Sequence, residues 1–82
     1  MRIAVPPELW ANSLMPEGVI EQWLKPDGCF VLEGEPIAKV RIEDAVHEIV
    51  APASGWLTTQ RATNAVIDPG MVIAHVGRDT IN

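Results

Sequence analysis

Residues 39–57 read KVRIEDAVHEIVAPASGWL, the pattern of a β-hairpin, a turn and the start of another strand. Ahead of Glu43-Asp44, the residues Ala38, Val40 and Ile42 alternate with Lys39, Arg41 and Glu43. A period of two with one apolar face is the mark of a half-buried strand. With Glu43-Asp44 as a two-residue loop, Ile42 falls opposite Ala45, Val40 opposite His47 and Ala38 opposite Ile49. The expected core face is Ala38, Val40, Ile42, Ala45, His47 and Ile49. Lys39 then meets Glu48 on the outer face as a cross-strand ion pair. A slip of one residue would turn the apolar set to solvent, so the pattern sets the register.

Working outward, seven prolines and six glycines cut the chain into short pieces. Only PELWANSLM, residues 7–15, reads as a short helix or helical turn. The rest reads as strands near 2–5, 18–24, 29–32, 36–43, 45–50, 55–60, 65–67 and 71–76, at the spacing of an all-β sandwich or barrel. An internal repeat runs through them. Gly34-Glu-Pro-Ile-Ala-Lys-Val40 matches Gly70-Met-Val-Ile-Ala-His-Val76, and Gly18-Val-Ile matches Gly55-Trp-Leu. The first half takes 23 residues from Gly18 to Val40, the second 22 from Gly55 to Val76. Neither half can bury its apolar face alone, so a pseudo-two-fold packing is expected.

The 82 residues suit one small domain, in which only about 60% of the unfolded surface is buried. Hydrophobic residues make up 48%, too many for a disordered chain. No apolar run nears the ~20 residues of a membrane span. The start, MRIAVPPELW, lacks the apolar core of a secretory signal. A net charge of −5 and six scattered cations (Arg2, Lys25, Lys39, Arg41, Arg61, Arg78) argue against nucleic-acid binding. The single Cys29 makes no internal disulfide and suits a reducing, cytoplasmic setting.

With these motifs in view, the chain resembles the biotinyl/lipoyl carrier domain family, and lipoyl domains of 2-oxo acid dehydrogenase acyltransferases most. The resemblance covers about Val5 to Val76. It rests on Gly18-Val-Ile-Glu-Gln-Trp23-Leu-Lys-Pro-Asp-Gly28, on the acidic-tipped hairpin and on Glu48-Ile-Val-Ala-Pro-Ala-Ser-Gly55. It implies a single domain over residues 1–82: a lipoyl-like barrel-sandwich hybrid, or hammerhead, of two small antiparallel sheets. The termini would meet at one end, with the hairpin tip at the other. In the family that tip carries the modified lysine. Counting back from Glu48, the lysine position here is Asp44, flanked by Glu43 and Ala45. Carrier loading needs an amine that attacks an acyl-adenylate to give a stable amide. An aspartate would give a labile anhydride instead, so Asp44 carries no swinging arm and no cofactor is expected. Two further departures concern turns: Pro-Asp-Gly stands for Pro-Gly-Asp, and Thr63-Asn64-Ala65 replaces a second Gly-Asp turn.

The expectation is a non-enzymatic docking or assembly module, linked through the resemblance to an acyltransferase or carboxylase system. Its protein partner would meet Glu43 and Asp44 at the tip, and Trp10, set among prolines, as the aromatic open to contact. The alternative is a working carrier bearing lipoate or biotin on Lys25 or Lys39, the only lysines. Lys25 reads more simply as a solvated charge. His47 and His75 have no metal-ligand spacing, His75 is expected to face solvent, and Cys29 reads as a half-buried thiol. No catalytic set is visible.

Overall fold

Period-two alternation and closely spaced turn residues favour short strands over helices, and the chain folds accordingly. In the computed structural model, residues 1–11, 13–14 and 17–78 are described. Eight strands form: β1 (Arg2–Ala4), β2 (Gly18–Trp23), β3 (Phe30–Val31), β4 (Pro36–Ile42), β5 (Ala45–Val50), β6 (Gly55–Thr59), β7 (Val66–Ile67) and β8 (Val72–Gly77). A 3-10 turn, Pro7–Trp10, opens the segment between β1 and β2; Asn12, Met15 and Pro16 of the expected helical stretch lie outside the described residues. Among the described residues no helix is long and apolar enough to cross a membrane.

The strands make two four-stranded sheets, ordered β1-β8-β6-β3 and β5-β4-β2-β7, with every pair antiparallel. Replacing each strand of the first order by the strand four further on or four back gives the second order. Each sheet therefore takes two strands from each half of the chain, and the halves are interleaved rather than merely stacked. Backbone bonds repeat the relation. Val5 N–H donates to Met71 and Gly70 N–H to Val5; in the other half Ala51 N–H donates to Glu35 and Gly34 N–H to Ala51, all at 2.8–2.9 Å.

Among the described residues, sixteen buried hydrophobic residues form one core. Fourteen fall into equivalent pairs: Ile3/Ile49, Val5/Ala51, Ile20/Leu57, Val31/Ile67, Ile37/Ile73, Ala38/Ala74 and Val40/Val76. Trp10 and Ile42 have no equivalent. Interior packing is dense enough that a Leu57→Ala cavity costs roughly 2–5 kcal/mol. Gly18 and Gly55 open equivalent strands against backbone carbonyls. A Cβ on Gly18 would stand 2.9 Å from the Arg41 oxygen, and one on Gly55 would meet that of Gly77.

The expected hairpin register is the observed one: Ile42 pairs with Ala45, Val40 with His47, Lys39 with Glu48 and Ala38 with Ile49. Its core face needs one correction. Ala38, Val40, Ile42 and Ile49 are buried and His47 is half-buried, but Ala45 is exposed. β5 is an edge strand, and Ala45 opens it at the tip, beyond the reach of the opposite sheet. His75, expected to face solvent, is half-buried between Arg2 and Thr58.

The unequal lengths of the two halves have a local cause. β2 against β4 pairs Ile20 with Val40 and then Gln22 with Lys39, so Glu21 is an extra residue. The equivalent β6–β8 pair runs without a break. Glu21 is a bulge, and its carboxylate meets Arg41 Nε at 3.1 Å.

Candidate functional site

The pseudo-two-fold separates residues that the fold requires from residues that it does not. Between Pro6 and Gly18 there are 11 residues, and between the equivalent Pro52 and Gly55 only two. This excess includes the 3-10 turn and Leu14, which lies at the β4–β5 tip. There the Leu14 N–H donates to Glu43 Oε2 at 2.9 Å. Glu8, Leu9, Ala11 and Ser13 form one wall of a cleft of about 290 Å³, and Ile42, Glu43, Ala45 and His47 form the other. On the far side of the tip, a shallower depression of about 210 Å³ is lined by Glu17, Gly18, Val19, Arg41, Glu43 and Val66.

The tip has an unusual backbone. Glu43 has φ 54° and Asp44 does not share the positive sign. Positive φ at the first loop residue alone is the φ pattern of a type II′ turn, which favours glycine there. A glutamate in that position costs on the order of 1 kcal/mol. Its side chain gives the bond to Leu14 in return. Asp44 is exposed and has no hydrogen-bond or ion-pair partner among the described residues. Leu14 is 96% exposed, an apolar side chain set beside an acidic tip.

Trp10 is not at the surface. It is 8% exposed, and its Nε1 is buried without a hydrogen-bond partner. The structure corrects its expected exposure: the indole covers more apolar area than any other side chain in this segment and fills the core that the segment overlies. The excess length ahead of Gly18 was the available signal that Glu8, Ser13 and Leu14 reach the tip. The hairpin sequence by itself held no trace of them.

The two lysines stand apart from the tip. Lys25 is not simply solvated: its Nζ meets Glu35 Oε2 at 2.8 Å. The hydrogen bond and charge of Glu35 raise the Lys25 pKa above its usual 10.5, so its amine is held protonated. Glu35 is also fixed by the Leu32 N–H at 2.9 Å. Lys39 is half-buried within β4 and, although opposite Glu48, makes no ion pair with it among the described residues. His47 lies in β5 and His75 in β8, in different sheets. Among the described residues no three His, Cys, Asp or Glu side chains gather as a metal site would require. Cys29 is free and half-buried.

Motif residues outside the tip have structural partners. Ser54 Oγ accepts from Glu33 N–H at 2.9 Å. Asp27 Oδ1 accepts from Thr59 N–H at 2.8 Å, and Trp23 Nε1 donates to the Arg61 carbonyl at 2.9 Å. Trp56 stacks edge-on with Phe30, ring centroids 5.2 Å apart. Neither a comparison with family models nor one with curated proteins finds a match for the chain.

Proposed function

We propose that this chain is a non-enzymatic module of the lipoyl/biotinyl carrier type whose tip serves protein docking instead of carrying a prosthetic group. The observation that carries this reading is where the pseudo-symmetry breaks. The fold accounts for residues that recur in both halves. Apart from the bulge residue Glu21 and the core residue Trp10, residues without counterparts gather at the tip, where the carrier family has its lysine: Glu8, Leu9, Ala11 and Ser13 face Ile42 and Glu43 across a cleft, and Leu14 N–H donates to Glu43. Strain held at a surface turn is itself a pointer to function. Exposed Asp44 and Leu14 supply an acidic and an apolar contact, which suit a basic partner surface with an apolar recess. The resemblance to lipoyl domains suggests a cytoplasmic partner from an acyltransferase or carboxylase system.

The alternative, a carrier loaded with lipoate or biotin at Lys25 or Lys39, finds less support. An attacking amine must be free and unprotonated, whereas Lys25 is ion-paired with a raised pKa and Lys39 lies half-buried in a strand.

Intact mass of the protein from its own cells, grown with lipoate and biotin, tests both. The unmodified mass is expected. An added lipoyl or biotinyl mass sinks the docking reading, and peptide mapping then assigns the lysine. Asp44→Lys tests the resemblance: a lipoyl or biotin ligase is expected to modify that variant and leave the wild type untouched. Refusal of the variant alongside a modified control domain means the tip is not carrier-like.

A further inference from the structure

Independently of the tip, two free sheet edges lie side by side. β1 ends one sheet and β5 the other, and together they line a cleft of about 340 Å³. Exposed edges are templates for another chain, and proteins commonly guard them with lysine, proline or short length. Here β5 runs six residues, Ala-Val-His-Glu-Ile-Val, with no lysine or proline. Val46 is 51% and Val50 48% exposed along it. Ala4 and Pro52 are exposed at the cleft, Pro6 is half-buried, and Ile3 and Ile49 lie buried at its base.

The charges on this face are Arg2 and Glu48. Both are exposed, and neither has an ion-pair partner among the described residues. The pseudo-two-fold places Arg2 on Glu48, Ala4 on Val50 and Pro6 on Pro52. Leu9 apart, the lining residues of the two walls are equivalent in position and opposite in charge, which makes the charge pattern of the face complementary to itself. Turning a second copy over, about an axis perpendicular to the line from Arg2 to Glu48, sets Arg2 of each copy against Glu48 of the other. That contact is isologous and closes after two copies, so it does not grow into a fibre. We infer that the β1/β5 face is a homodimer interface, with Val50 and Pro52 packed at its apolar centre and two Arg2–Glu48 pairs across it. An interface of standard size needs ~800 Å² from each partner, about one sixth of the 4992 Å² surface of this chain.

The test is sedimentation velocity of the full chain from low micromolar to millimolar concentration, with circular dichroism to check folding. The wild type is expected to pass from monomer to dimer in that range. Arg2→Glu and Glu48→Arg each turn both pairs into like-charge contacts and are expected to weaken dimerisation at least ~10-fold. The double exchange restores opposite signs and is expected to recover most of the wild-type affinity. Val50→Lys tests the apolar centre and should also yield monomer. Three outcomes overturn the inference: a wild type still monomeric at millimolar concentration, single variants that dimerise unchanged, or a double exchange as weak as either single variant.

Discussion

Asn64 shows how a single residue can keep a turn whose motif is gone. The sequence lacks the Gly-Asp expected in the second half, yet Asn64 sits at φ 73° where the first half has Gly28 at φ 90°. The flanking bonds match: Asn64 N–H donates to Ile20, as Gly28 N–H does to the equivalent Leu57. Asparagine visits the left-handed region more readily than other residues with a side chain. Asn64→Ala should therefore destabilise by about 1 kcal/mol, whereas Asn64→Gly should be neutral or slightly stabilising, as read by urea unfolding. Equal losses in both variants would mean that the asparagine side chain matters rather than its backbone. The Lys25–Glu35 pair gives a pH signature. Hydrogen bonds from Lys25 and from the Leu32 N–H lower the Glu35 pKa below its usual 4.5. A lowered folded pKa contributes stability above the unfolded value, and that contribution is lost as pH falls through the folded one. The raised pKa of Lys25 acts in the opposite sense: its contribution is present below 10.5 and lost as pH climbs beyond the folded value. Wild type should exceed Glu35→Gln in urea midpoint near neutrality, and the gap should close in acid below pH ~4.5. Solvent screening of this half-exposed pair keeps the gap small.

At the scale of elements, what the sequence made legible was whatever repeats or alternates. All eight strands and the pairing of the hairpin follow from period-two patterning and turn residues. Exposure at strand ends does not follow from period alone, which is why Ala45 reads as core and lies open. The 7–17 segment occurs once and has no period to read, and its residues Glu8, Ser13 and Leu14 lie at a tip distant in sequence; neither the burial of Trp10 nor the approach of Leu14 to Glu43 was visible. The bulge is intermediate. The lengths 23 and 22 announce one extra residue, but only the pairing shows it to be Glu21. Deleting Glu21 should bring β2–β4 to the unbroken register of β6–β8. The expected cost is about 1 kcal/mol or less, from the lost Arg41 contact. Deleting Thr58 from the regular β6 should reverse side-chain facing along that strand and prevent folding. Comparable melting temperatures for the two deletions would refute this account of the bulge.

For the whole molecule, the interleaving of halves settles where the chain can be opened. Met1 and Val76 exchange backbone bonds, with Met1 N donating to Val76 O at 2.6 Å and Val76 N–H to Met1 O at 2.9 Å. Arg2 pairs with His75. Under the two-fold, this junction corresponds to the Glu43-Asp44 turn: one joint of the ring is closed by a loop, the other by proximity alone. The chain is therefore close to a circular permutant of itself. A protein that begins at Asp44, runs through Arg78, crosses a short Gly-Ser linker in place of residues 79–82 to Met1, and ends at Glu43 should retain the strand order and a cooperative unfolding transition. It would present a new turn between Arg78 and Met1 and free ends at the acidic tip. If the tip docks a partner as proposed, that binding should be lost from such a permutant while its fold survives, so that the tip can be dismantled without touching the core.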